Sequence, residues 1–232
     1  MIPWLTPESR FPPLNSALLK PNGLLAAGGD LSPQRLIEAY RCGIFPWFNE
    51  GEPILWWSPD PRMVLFPGEL KISRSLRKTL KKSNYEIRVD SAFREVMQAC
   101  AAPRGDQPGT WIHAGMISAY AALHEMGVAH SVEVWMRGEL MGGLYGVALG
   151  KVFFGESMFS RISNASKIAF VHLVRQLERR DFHMIDCQMK TAHLASLGGR
   201  EISRHEFGQK LKELVNYTEQ VEKWCFDHEP IE

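Results

Sequence analysis

Two apolar stretches that end in polar groups, with a helix-length segment between them, constrain this chain most. The first is Phe153-Phe154-Gly155-Glu156-Ser157-Met158-Phe159-Ser160, and the second is Met184-Ile185-Asp186-Cys187-Gln188. Each reads as a buried strand, and residues 164–180 between them read as one helix whose apolar face carries Ile168, Val171, Val174 and Leu177. A strand–helix–strand unit of this length makes a right-handed crossover, so the two strands run parallel and their ends meet on one side of a sheet. Glu156, Asp186 and Gln188 then converge near one cleft. Acids on apolar strands are rare unless they are paired or do chemistry.

The rest of the chain fits around that unit. Residues 1–62 are rich in proline, from Pro3 to Pro61, and cluster Trp47, Phe48, Trp56 and Trp57. One helix is clear there, over 33–42, with Ser32 as N-cap, Pro33 at its first position and Gly43 as its stop. From residue 63 onward the pattern is regular. Tyr85, Ile87 and Val89 alternate as in a strand, and Phe93, Val96, Met97 and Cys100 recur at helical spacing. A second helix spans 112–126, and strands over 132–136, 140–147 and 152–159 form an antiparallel meander. After the crossover come a short helix over 191–197, a strand near 201–203 and a closing helix that carries Phe207, Leu211, Leu214 and Val215. The class is α+β: a small loop-rich N-terminal domain (1–62), then a mixed sheet flanked by helices (63–232). The element order matches an N-acetyltransferase-like (GNAT) fold.

An acyl-CoA enzyme of that fold needs a glycine-rich turn before the crossover helix, where backbone N–H groups hold the pyrophosphate. Here the turn is Ser160-Arg161-Ile162-Ser163-Asn164-Ala165-Ser166-Lys167, which has no glycine. The fold suggests acyl transfer, and the usual carrier lacks its signature.

At this point the chain resembles the leucyl/phenylalanyl-tRNA–protein transferase family. The resemblance rests on Pro21–Leu25 with Gly28–Pro33, Gly43–Phe48, Trp56–Arg62, Gly109–Ile112, His130–Trp135, Gly155–Ser160 and Ile185–Gln188, in order from Pro21 to Phe207. It implies transfer of Leu or Phe, sometimes Met, from aminoacyl-tRNA to the N-terminal Arg or Lys of a protein, which marks the product for N-end-rule degradation. No cofactor and no metal are implied. By this resemblance Gln188 would hydrogen-bond the incoming α-amine, Asp186 would orient or polarise it, and Glu156 would hold the amine or the basic side chain of the acceptor. Leu144, Phe153, Phe170, Leu173 and Ile185 match the family's side-chain pocket. Trp47 and Trp111, with Tyr40 and Tyr120 nearby, are candidates for stacking on the 3′ adenosine. Strand alternation puts Asp186 and Gln188 on one face and Cys187 on the other, as a small apolar residue.

Charge adds one feature. The net charge is only +1, yet Lys71, Arg74, Arg77, Lys78, Lys81 and Lys82 crowd one face of a segment whose other face carries Ile72, Leu76 and Leu80. Arg74, Lys78, Lys81 and Lys82 are candidate phosphate contacts for the tRNA acceptor stem; the alternative is a solvated helix face. The four cysteines and eight histidines show no metal-ligand spacing. Reduced thiols, no leader peptide and no membrane-length apolar run suggest a cytoplasmic monomer. Two rivals stand beside the transferase reading: an acyl-CoA N-acyltransferase and a non-catalytic tRNA-binding adaptor.

Overall fold

The computed structural model describes residues 1–82, 84–103, 110–216 and 224. Gly109, named in the sequence reading, lies outside the described residues, as do Cys225 and His228 among the cysteines and histidines counted there.

Four short strands, β1 (Trp4–Leu5), β2 (Leu24–Gly28), β3 (Phe45–Pro46) and β4 (Leu55–Trp57), pair in the order β1-β2-β4-β3. The sequence reading expected loops here, because strands of two to five residues between prolines leave too little alternation to detect. Helix α1 (Pro33–Arg41) follows β2. Ser32 stands at its N-cap without a side-chain cap bond, and its own N–H is held by Asp30 Oδ1 at 2.7 Å. Gly43 ends the helix at φ 78°, a left-handed turn that suits glycine.

The larger sheet begins at β5 (Arg62–Leu65), one residue before the expected boundary. Helix α2 (Arg74–Leu80), β6 (Glu86–Val89), α3 (Phe93–Ala101), α4 (Ala114–Glu125), β7 (Ala129–Met136), β8 (Glu139–Leu149) and β9 (Val152–Ser160) follow. Then come α5 (Ala165–Arg179), β10 (Met184–Gln188), α6 (Ala192–Ser196), β11 (Arg200–Ile202) and α7 (Arg204–Leu214). The seven strands run β11-β5-β10-β9-β8-β7-β6. β6 to β9 form an antiparallel meander, and β9 and β10 are parallel across α5, as the crossover requires.

Helices cover both faces: α3 and α4 pack on one, α5 on the other, with α2 against α5. Alternation along the central strands fills both cores. Tyr145 and Phe154 join Phe93, Met97 and Tyr120 on the α3–α4 side, while Leu144 and Phe153 join Val171 and Val174 under α5. The first core runs without a break into the small sheet through Leu25, Tyr40 and Trp56.

Of the cationic segment from Lys71 to Lys82 only Arg74–Leu80 is helical, since α2 starts where the Ser73 hydroxyl caps the Leu76 N–H at 3.2 Å. Leu76 and Leu80 are buried in the α5-side core, and Arg74, Arg77, Lys78, Lys81 and Lys82 face solvent.

Candidate active site

β9 and β10 pair only at Met184↔Val152, Ile185↔Phe153 and Asp186↔Phe154. Beyond that point both strands break register with their outer neighbours. On β8–β9, Tyr145 faces Ser157 and Gly146 faces Gly155, so Glu156 is left over as a bulge. Gly146 permits this close approach: a β-carbon there would lie 2.3 Å from the Phe154 carbonyl oxygen. On β5–β10 the register shifts between Asp186 and Gln188, and Gln188 turns to φ 60°.

The parted strand ends open a cavity of about 750 Å³. Leu144, Phe153, Phe170, Leu173 and Ile185, the five expected pocket residues, all line it. So do Met158, Phe159 and Phe45, which the sequence reading did not single out. Trp47 and Trp111 line it as well, and Trp47 is 40% exposed. Trp57 supports Trp47 from behind: its Nε1 donates to the Trp47 carbonyl oxygen at 2.7 Å, and the rings meet edge to face at 5.5 Å.

Tyr40 and Tyr120 correct the sequence reading. Both are fully buried, so neither offers a face to a base. Their hydroxyls instead hold Glu156. The Tyr40 hydroxyl lies 2.7 Å from Oε1 and the Tyr120 hydroxyl 3.1 Å from Oε2, and the two hydroxyls also touch each other, so their two protons fill two of these three contacts at a time when the carboxylate is ionised. Gln188 Nε2 donates to the same Oε1 at 2.8 Å. Burial drives the Glu156 carboxyl up to about 7 and outweighs these donors, which favour the ionised form. Burial, aided by the Glu156 charge, pushes both phenols well above their usual range, so they remain donors at neutral pH. Tyr145 also lines the cavity, with a buried hydroxyl that has no partner among the described residues.

Asp186 and Gln188 do not share a face, because the bulge and left-handed turn break the alternation on which that expectation rests. Gln188 and Cys187 reach the cavity and Asp186 does not. The Asp186 carboxylate is fully buried and paired with Arg62, Nε to Oδ1 at 2.8 Å and Nη2 to Oδ2 at 2.6 Å. It also accepts the Gln188 backbone N–H at 2.9 Å. Cys187 therefore lines the cavity instead of pointing away from it, and burial raises its thiol pKa, keeping it protonated. Arg62 was missed as a site residue. The available signal was a cation heading the apolar run Met63-Val64-Leu65, which needs a buried acid as partner.

Arg74, Lys78, Lys81 and Lys82 are not in the cavity lining. Among the described residues no group of three or more His, Cys, Asp or Glu could hold a metal ion, and no helix is long and apolar enough to cross a membrane.

The family model described as "Leucyl/phenylalanyl-tRNA protein transferase" matches residues 64–212, and the model of that family's N-terminal domain matches residues 29–60. The leucyl/phenylalanyl-tRNA–protein transferase of Nitrosospira multiformis is 77% identical over 232 residues, all of both chains. The chain belongs to this transferase family. Transferases of the same name from Nitrosomonas europaea and Chromobacterium violaceum are 70% and 62% identical, over 98% of this chain and 96% and 98% of their own. Among solved structures, a GCN5-related N-acetyltransferase from Kribbella flavida aligns over 72% of this chain and 59% of its own, at 11% identity and a TM-score of 0.38.

Replacing Tyr120 with Phe removes a donor to the ionised carboxylate. The Glu156 titration, followed by carboxyl-detected NMR, is expected to move above about 7; a downward move would contradict the burial-dominated balance.

Proposed function

We propose that this transferase moves Leu or Phe, and also Met, from aminoacyl-tRNA to the N-terminal Arg or Lys of a protein. The new N-terminal residue would serve as an N-end-rule degradation signal. The relatives' name supplies the donor and acceptor classes. The observation that carries the reading is the meeting of Glu156 and Gln188 at the open end of an apolar cavity.

The donor is an activated ester, so aminolysis runs downhill. The acceptor nitrogen attacks the acyl carbon and a C–N bond forms. The C–O bond to the terminal ribose breaks, and a proton from the nitrogen ends on the ribose oxygen. The barrier lies in holding a neutral amine against the carbonyl and stabilising the oxyanion. Gln188 is the group proposed to orient the amine. Glu156, titrating near neutrality, is suited to accept a hydrogen bond from the amine or to pair with the acceptor's basic side chain. A cationic first residue gains a charge-assisted contact there worth on the order of 1.5–3 kcal/mol, which a neutral one lacks. We place Asp186 behind Gln188 as a positioning group.

Leu144, Phe153, Phe170, Leu173 and Ile185 would receive the donor side chain. One methylene in such a slot is worth only about 1–3 kcal/mol, which is why Leu and Phe are both used. Trp47 and Trp111 would stack on the terminal adenosine. At the start of α5 the Ser166 N–H is taken by Ser160 Oγ at 2.7 Å, which disfavours the acyl-CoA alternative. We read residues 1–62 as a lobe sharing its core with residues 63–232, and the enzyme as a cytoplasmic monomer.

Phenylalanyl-tRNA mixed with an Arg-starting peptide is expected to give a new amide, and the N-acetylated peptide none. Glu156→Gln is expected to lower kcat/KM for the Arg peptide at least about tenfold, which is the scale of one charge-assisted contact, and to leave tRNA affinity unchanged. Equal losses in both would count against the acceptor role. The exposed cations of α2 are proposed to contact acceptor-stem phosphates. Arg74, Lys78 and Lys82 changed together to Glu should weaken tRNA binding and flatten its salt dependence. Unchanged affinity at low salt would exclude that track.

A further inference from the structure

We propose that Arg62 is a positioning residue for the transfer step: through Asp186 it fixes the backbone turn that presents the Gln188 carboxamide to Glu156. The inference rests on the reaction proposed above and goes beyond it in tracing how Gln188 is held.

Arg62 opens β5, between β10 and β11. Its guanidinium carbon lies 4.8 Å from the Phe45 ring centroid and 4.6 Å from that of Phe207. Phe45 belongs to the small sheet and Phe207 to α7, so one cation is gripped by both parts of the molecule. The fork has two prongs on Asp186, and side-chain exposure is 0% for both partners. A planar fork between aromatic rings leaves the carboxylate little freedom.

Asp186 is then held where its Oδ1 meets a second donor. That donor is the backbone N–H of Gln188, only two residues on. The bond stabilises a left-handed turn at φ 60°, which an L residue with a side chain adopts reluctantly. The turn swings the carboxamide out of the strand's alternation and into the cavity, where Nε2 reaches Glu156 Oε1. A pair that served stability alone would be replaceable by apolar groups. Here one carboxylate oxygen is shared between the cation and the backbone of the residue that faces the reacting atoms.

Arg62→Lys tests this, because it keeps the charge and stem but loses the two-pronged fork. Kinetics with phenylalanyl-tRNA and an Arg-starting peptide are read across pH, with thermal melting alongside. Other titratable groups facing Glu156 are Tyr40 from α1, Tyr120 from α4, Tyr145 from β8 and Asp186 from β10. The expected result is a kcat drop of about tenfold or more, towards the roughly hundredfold cost of a one-ångström misplacement at a reacting centre, with both KM values nearly unchanged. The rising limb of kcat should also shift to higher pH, because Glu156 loses the Gln188 donor that favours its ionised form. An unchanged kcat would overturn the proposal, and so would a loss that only tracks the unfolded fraction while the pH limb stays in place. If the lysine variant does not fold, Phe207→Leu decides. It keeps the ion pair and removes one ring, so a folded protein with lowered kcat and the same pH shift supports the proposal, and wild-type kinetics contradict it. Transfer by the wild type tests the reaction itself, and the ratio of variant to wild type tests the role of Arg62.

Discussion

Two parallel strands stay hydrogen-bonded only while their registers agree, and β9 and β10 agree for three residue pairs. Past Phe154 and Asp186, each strand bulges against its outer neighbour and the two ends separate. The separation leaves backbone groups and side chains facing a shared gap in the middle of the sheet. Such a gap can take an apolar side chain from one direction and a polar nucleophile from another. The Glu156–Gln188 contact takes its place from that parting.

Charge inside the gap is controlled by two different balances. Asp186 meets a bidentate cation and a backbone N–H, so its charge is compensated within the protein. Removing one partner of such a buried pair costs about 3–5 kcal/mol, because the other is left uncompensated. Among the described residues Glu156 is met by neutral groups alone, the Tyr40 and Tyr120 hydroxyls and the Gln188 carboxamide, and by no cation. Burial therefore prevails, and the carboxyl titrates at about 7. An acid in that condition binds a cation or a proton readily, which suits it to an acceptor that arrives as an ammonium and must react as an amine.

Much of this was legible in residues. The crossover and the meander follow from periodicity, because long strands and helices repeat their burial pattern many times; the five apolar residues that line the cavity came only from the resemblance to the family. The small sheet was not legible, since its two- to five-residue strands contain too few repeats to stand out among the prolines. Asp186 and Gln188 were assigned to a common face because an alternation rule cannot foresee a bulge. Tyr40 and Tyr120 were read as stacking platforms from their type and neighbourhood. Only tertiary packing shows that their rings are buried and their hydroxyls serve Glu156. Arg62 was overlooked because its partner lies 124 positions away in sequence.

The most direct test of the parted-strand site is a crystal structure with phenylalanine joined to the 3′ position of adenosine through an amide in place of the ester. The account predicts the benzyl ring among Phe153, Phe170, Leu173 and Ile185, the adenine on Trp47 or Trp111, and the acyl carbonyl beside Gln188 and Glu156. A benzyl ring bound outside that cavity, or an acyl group remote from Gln188, would contradict it.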